Sequence, residues 1–172
     1  LGSQGDNYSL MQDYAVAAKQ WGGDVKLKPY ADEKLATNDF KSGKCDGMAI
    51  SSIRALPLNE FVGTISSAGG VVTHDQTKTI LALAGNPKLA PEMQGKGTEV
   101  VGVTSLGFAY LMVKDRKNDS LDDFSKVRTG ILAYDIVQQK IVEKVGGNPV
   151  PMELNELGSK FISGQIDVVI MP

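Results

Sequence analysis

The chain has 172 residues, 42% of them hydrophobic and 22% charged, enough to bury a core as one large domain or two small ones. A formal charge of −2 and a pI near 5.4, with Lys and Arg scattered among Asp and Glu, argue against a nucleic-acid surface. No apolar run approaches the roughly 18 residues of a membrane span, and the single cysteine, Cys45, excludes an internal disulfide and a Cys-rich metal site.

In chain order, "YSLMQDYAVAAKQW" puts Leu10, Tyr14, Ala17, Ala18 and Trp21 at helical spacing and stops at Gly22-Gly23, which predicts an amphipathic helix. "DVKLKPY" alternates as a short strand does. "ADEKLATNDFKSG" opens acidic and closes on Gly43, a second helix with a glycine cap, and the apolar "CDGMAIS" then reads as a buried parallel strand. From Ile53 to Gly97 the pattern is less regular, with helices at "IRALPLNEF" and "DQTKTILALAG". "TEVVGVTSLGFAYLMVKD" predicts two strands or one bent strand. After the polar turn "RKNDSLDDFS", the order is strand "KVRTGI", helix "LAYDIVQQKIVEKV" ending at Gly146-Gly147, strand "NPVPM", helix "ELNELGSKFISG" and strand "QIDVVIMP".

Two stretches repeat one pattern. "KQWGGDVKLKPYADEKLATNDFKSGKCDGMAI" and "EKVGGNPVPMELNELGSKFISGQIDVVI" share a helix end, Gly-Gly, a short strand, a helix, Phe-x-Ser-Gly and an Asp that begins a strand; the second copy is three residues shorter before its Phe. The repeat predicts a structural step used twice. In each copy a helix packs its Phe (Phe40, Phe161) on a sheet, a Gly cap (Gly43, Gly164) takes positive φ, and a strand enters the core behind Asp46 or Asp167. Alternating helices and strands with short connections make the fold class α/β, each half a mainly parallel sheet flanked by helices.

In open α/β sheets, ligands lie beyond the carboxyl ends of the strands. That rule directs attention to segments after strands and before helices: "LGSQGDNYS" with Ser3 and Asp6, "SSIR" with Ser51, Ser52 and Arg54, "RTGILAY" with Arg128, Thr129 and Tyr134, and the terminal Met171. Thr104, Ser105, Phe108 and Tyr110 join them from the middle stretch. Loops that open helices suit anions, because unpaired N–H groups and the helix dipole favour negative charge.

"DSLDDFSKVRTGI…KIVEKVGGNPVPMELNELGSKFISGQIDVV" resembles the second lobe of TRAP-transporter solute receptors. "GDNYSLMQDYAVAAKQWG" through "DFKSGKCDGMAISSIRALPLNEFVG" is similar to bacterial solute-binding proteins related to them; together the two cover most of residues 5–63 and 119–171. The resemblance implies a two-lobed periplasmic-binding-protein fold of type II. The lobes span 1–98 and 99–172, with a hinge crossover near 99–111 and a ligand cleft between them. The chain looks incomplete at both ends against that fold, and an exported precursor would carry a signal peptide upstream. The implied function is a periplasmic receptor, a monomer not embedded in the membrane and without cofactor or metal. It would bind a small organic anion, a carboxylate, and deliver it to a membrane permease. In the resembling receptors an Arg on the hydrophobic-Arg strand pairs with the substrate carboxylate; the matching residue is Arg128. A guanidinium fork fits a carboxylate, with Thr129 and Gly130 as helix-start donors beside it.

Catalysis is poorly supported. His74 is the only histidine, no Ser stands in a G-x-S-x-G elbow, and "DRKNDSLDD" and "APEMQGKGT" miss the spacing of a calcium loop and a phosphate loop. Cys45 reads as an inert core thiol. The other alternative, a ligand-sensing domain of a regulator, would carry a basic helix-turn-helix segment, which this sequence lacks.

Overall fold

The structure, a computed structural model, describes residues 6–65, 67, 69–118, 120, 122–125 and 127–171. It divides into two compact units, residues 1–51 and 52–172.

The first unit is helical. α1 (Asp6–Lys19) and α2 (Glu33–Lys41) form where the periodicity predicts. Asp32 caps α2 by accepting the Leu35 N–H at 2.8 Å, replacing a bond that the helix itself cannot supply. Ala18, Ala36, Glu33 and Thr37 are its buried positions. The strands predicted over "DVKLKPY" and "CDGMAIS" are a correction: 23–30 and 47–51 run without a ladder. A strand is defined by a partner, and no described segment of this unit pairs with either. Cys45 is consequently half-buried in a loop rather than sealed in a core strand. Its Sγ lies 3.2 Å from the Tyr30 hydroxyl, which itself donates to Asp39 at 2.8 Å. The Cys45 contact, burial and Asp39 together push the Tyr30 phenol up to about 12. Lys28 first, then Tyr30 and Lys44, hold the Asp39 carboxyl below the usual carboxylate range.

The second unit begins with short helices α3 (Ser52–Ala55) and α4 (Glu60–Thr64), then α5 (His74–Ala84) and a 3-10 turn over Pro87–Met93. Asn59 joins them: its Oδ1 accepts from Val62 N–H to start α4, while its Nδ2 donates to the carbonyls of Glu92 and Gln94 at 2.9 and 3.3 Å. The two strands or one bent strand predicted over "TEVVGVTSLGFAYLMVKD" reduce to β1 (Tyr110–Val113). Ahead of it, among the described residues, only Glu99 bridges Gln94; Val101 is 95% exposed and Gly107 turns the chain at φ 111°, so the backbone there finds no partner strand. His74, exposed at the start of α5, sets its ring edge against Phe108.

The remaining elements follow the predicted order: β2 (Arg128–Leu132), α6 (Ile136–Lys144), β3 (Asn148–Met152), α7 (Leu154–Ser163) and β4 (Val168–Met171). The sheet order is β1-β4-β2-β3; β2 is parallel to both β3 and β4, and β1 closes one edge antiparallel to β4. Met152, Leu157, Ile166 and Val169 form the core, with Met112, Leu132, Val150, Phe161 and Met171 against it. Gly130 lies in the middle of β2 because a Cβ there would run into Ile166 Cδ1 and come within 3.1 Å of Leu157 Cδ2.

The repeat survives as a pair of turns. Gly22 and Gly146 have φ of 83° and 79°, and the following glycines donate to Ala18 and Val142 carbonyls, both at 2.9 Å. Gly43 and Gly164 have φ of 72° and 78°; the residues after them donate to Asp39 and Lys160 carbonyls, both at 2.9 Å. The side chains of those two residue pairs also meet, Lys44 with Asp39 and Lys160 with Gln165. Strands flank the helix only in the second copy.

Candidate functional site

The carboxyl ends of β2, β3 and β4 deliver three residues to one edge of the sheet. β2 runs out through Ala133 and Tyr134 to Asp135, which caps α6 by accepting the Gln138 N–H at 2.9 Å. β3 runs out to Glu153, the cap position of α7, whose backbone N–H donates to Glu156 at 3.0 Å. β4 ends at Met171, paired across the ladder with Tyr110.

Over this edge α3 places Arg54. Its guanidinium carbon is 3.6 Å from the centroid of the Tyr134 ring, and Nη2 is 3.6 Å from the Glu153 carboxylate. The Arg54 side chain is only 16% exposed. A guanidinium stacked on an aromatic face is held in orientation by cation–π attraction, strengthened where water is thin. Its N–H groups lie in the guanidinium plane, the geometry that takes a carboxylate or a row of hydroxyls.

Of the residues expected to bind ligand, Arg54, Tyr134, Tyr110 and Met171 come to this edge. Arg128 goes to the opposite one. It is the first residue of β2, four residues from Leu132, about 13 Å at ~3.3 Å per residue. There its fork meets a carboxylate of the chain itself: Nε and Nη2 donate to Asp167 at 2.9 and 2.7 Å, and Nη2 also donates to the Gly164 carbonyl at 2.9 Å. The Asp167 side chain accepts the Arg128 backbone N–H as well, and the Asp167 N–H donates to the Arg128 carbonyl, so the pair fastens the start of β4 to β2. The Arg128 hydrogen bonds hold the Asp167 carboxyl below the usual carboxylate range.

The expectation that Thr129 and Gly130 open a helix is corrected, since both are inside β2 and the helix starts after Asp135. Thr129 is 2% exposed in the sheet interior, and its Oγ1 has no hydrogen-bond partner among the described residues. Ser51 is held within the first unit, where its N–H and hydroxyl both donate to the Glu33 carboxylate at 2.8 Å. Ser52 starts α3 and Asp6 starts α1; Thr104 and Ser105 are exposed on the irregular stretch before β1; Ser3 lies outside the described residues. Glu153 was not singled out from the sequence, although it directly follows a strand and precedes a helix, the position that the carboxyl-end rule favours. Among the described residues no group of three His, Cys, Asp or Glu could hold a metal ion, and no helix is long and apolar enough to cross a membrane.

Comparison with known proteins agrees with this architecture. The chain is 36% identical over 172 residues to the "Probable solute-binding protein AdeT1" of Acinetobacter baumannii and 27% identical over 111 residues to the "Probable solute-binding protein AdeT2" of the same organism. It spans 57% of the first relative's length. A TRAP periplasmic solute-binding protein from Xanthobacter autotrophicus Py2, with bound β-D-galacturonate, superposes with a TM-score of 0.73 at 16% identity, over 88% of this chain and 52% of that one. Another from Desulfovibrio salexigens, with bound orotic acid, gives 0.71 at 12% identity, over 90% and 51%. A third, from Ochrobacterium anthropi with bound L-fuconate, gives 0.65 at 20% identity, over 99% and 59%. These likenesses give the fold, that of the two-lobed TRAP receptors. The family described as "Solute-binding protein AdeT 1/2" matches residues 3–172, and with the AdeT1 relationship it follows that the chain belongs to that family of solute-binding proteins.

Proposed function

We propose that this chain is part of a periplasmic receptor that binds a small organic acid at the carboxyl edge of the β1–β4 sheet and delivers it to a membrane transporter. The observation that carries the reading is Arg54, a largely buried guanidinium stacked on Tyr134 where the strands end. Such a group takes a carboxylate through the N–H groups at the edge of its plane, beside the Glu153 carboxylate that already faces Nη2. The galacturonate, orotate and fuconate bound by the fold neighbours are all carboxylates, which supports the same ligand class here.

Tyr110, Tyr134 and Met171 would line the site. The lobe division at 98/99, with a crossover near 99–111, and a monomeric exported form belong to the same reading. Arg128 takes part only by exchanging Asp167 for the ligand. The test is calorimetric titration of the full-length protein with galacturonate, fuconate, orotate, malate and succinate. At least one acid should bind. Arg54→Ala should then weaken it by ~2–5 kcal/mol, on the order of 30-fold to several-thousand-fold, through the unpaired carboxylate left behind. If no acid binds, or if Arg54→Ala binds as wild type does, the reading fails. A loss with Arg128→Ala that exceeds the loss with Arg54→Ala would move the anion site to the other edge of the sheet.

A further inference from the structure

Arg54 does not stand alone at the sheet edge. Glu153 has its backbone fixed between β3 and α7 by the hydrogen bond to Glu156, and its carboxylate lies 3.6 Å from Arg54 Nη2. We propose that Glu153 is a specificity residue of this site, selecting acids that carry a hydrogen-bond donor, a hydroxyl or an ammonium, on the carbon next to the carboxylate. The inference rests on the receptor reading above, with Arg54 as the carboxylate-binding group.

Tyr134 covers one face of the guanidinium, so a ligand carboxylate pairs through the N–H groups at its edge. The Nη2 end of that edge is the end beside Glu153. A carboxylate seated there brings the substituent on its neighbouring carbon toward the Glu153 carboxylate. An ionised carboxylate only accepts hydrogen bonds. A hydroxyl or ammonium satisfies it; a methylene leaves it without a bond, and an oxo group or second carboxylate turns acceptor against acceptor. Selection of this kind works by penalising the wrong ligand as much as by holding the right one. The Glu153 side chain is 32% exposed, so water softens the penalty, and one charge-assisted hydrogen bond corresponds to a preference on the order of 10- to 100-fold.

Matched pairs test this in the full-length protein: D-gluconate against 2-deoxy-D-gluconate, malate against succinate, and alanine against propionate, titrated calorimetrically into wild type, Glu153→Gln, Glu153→Ala and Arg54→Ala. Wild type should favour the donor-bearing member of every pair it binds. Both Glu153 variants should bring the members within about threefold, with the donor-free acid binding at least as well as before. Arg54→Ala should weaken both members alike. The gluconate and alanine arms tell a hydroxyl from an ammonium. A preference that survives in both Glu153 variants, or an equal loss for both members in the Glu153→Gln protein with an unchanged circular dichroism melt, overturns the inference and leaves the receptor reading standing. No binding by any acid, or no effect of Arg54→Ala, overturns that reading and the inference with it.

Discussion

Gly130→Ala is a one-methyl change whose consequence follows from two atoms. In a strand Ala is intrinsically favoured over Gly by about 0.5–1 kcal/mol, so backbone preference alone would make the variant more stable. The new Cβ, however, would run into Ile166 Cδ1 and sit 3.1 Å from Leu157 Cδ2. Ile166 and Leu157 are 0% and 1% exposed, so neither can swing into solvent. Overpacking of this kind costs about 1–3 kcal/mol. Ile166→Val removes the Cδ1 atom itself and by itself costs about 0.5–1.5 kcal/mol for the lost methyl. In the double variant the cavity left by one change receives the methyl of the other, and only the tight Leu157 contact remains. Its stability should therefore lie close to that of Ile166→Val alone, a favourable coupling of about 1–2 kcal/mol. Urea unfolding followed by far-UV circular dichroism on the four proteins measures it. If Gly130→Ala is as stable as wild type, or if the two losses simply add, then α7 and Ile166 do not rest on β2 as described. The placement of Glu153 and Tyr134 at the sheet edge, which depends on that packing, would fall too.

Asp167 has a lowered folded-state value, so its contribution is complete above the unfolded carboxylate range near 4 and is lost as pH falls through the folded value. Wild type should accordingly be more stable than Asp167→Asn at pH 7, and thermal melts taken from pH 7 down to 2 should show the gap closing below about pH 4. A gap that is constant with pH would mean that the Arg128 clasp does not depend on the Asp167 charge. Thr129→Val replaces a buried, unpartnered hydroxyl by a methyl of similar shape and should stabilise by about 1 kcal/mol in the same urea assay; a loss would reveal a hydrogen bond for that hydroxyl. Asp135→Ala removes the cap of α6 and should cost about 1 kcal/mol, with Asp135→Asn recovering most of it.

Helix ends were the most legible features because their causes are local. The glycines at 22, 43, 146 and 164 act within four or five residues of themselves, and the structure turns the chain at each of them as predicted; Asp135, read as part of its helix, instead caps it from outside. The parallel strands of the second repeat were legible for a related reason. β2, β3 and β4 are separated only by single helices, so short connections leave few alternatives. The first repeat carries nearly the same signals, yet its extended segments form no ladder, since a strand depends on a partner that local pattern does not specify.

The site divides along the same line. By itself the amino-acid sequence determined an α/β chain of the solute-receptor type and the order of the elements from β2 onward, and it drew attention to Arg54 and Arg128. Only the tertiary structure decided which arginine sits where. Arg128 begins its strand instead of ending it, a matter of where pairing with β3 and β4 starts, and so it meets Asp167. Arg54, Tyr134 and Glu153 are far apart in sequence, and no local pattern links them. They meet because α3 lies over the edge at which two parallel strands end, and parallel strands bring their carboxyl ends to the same side.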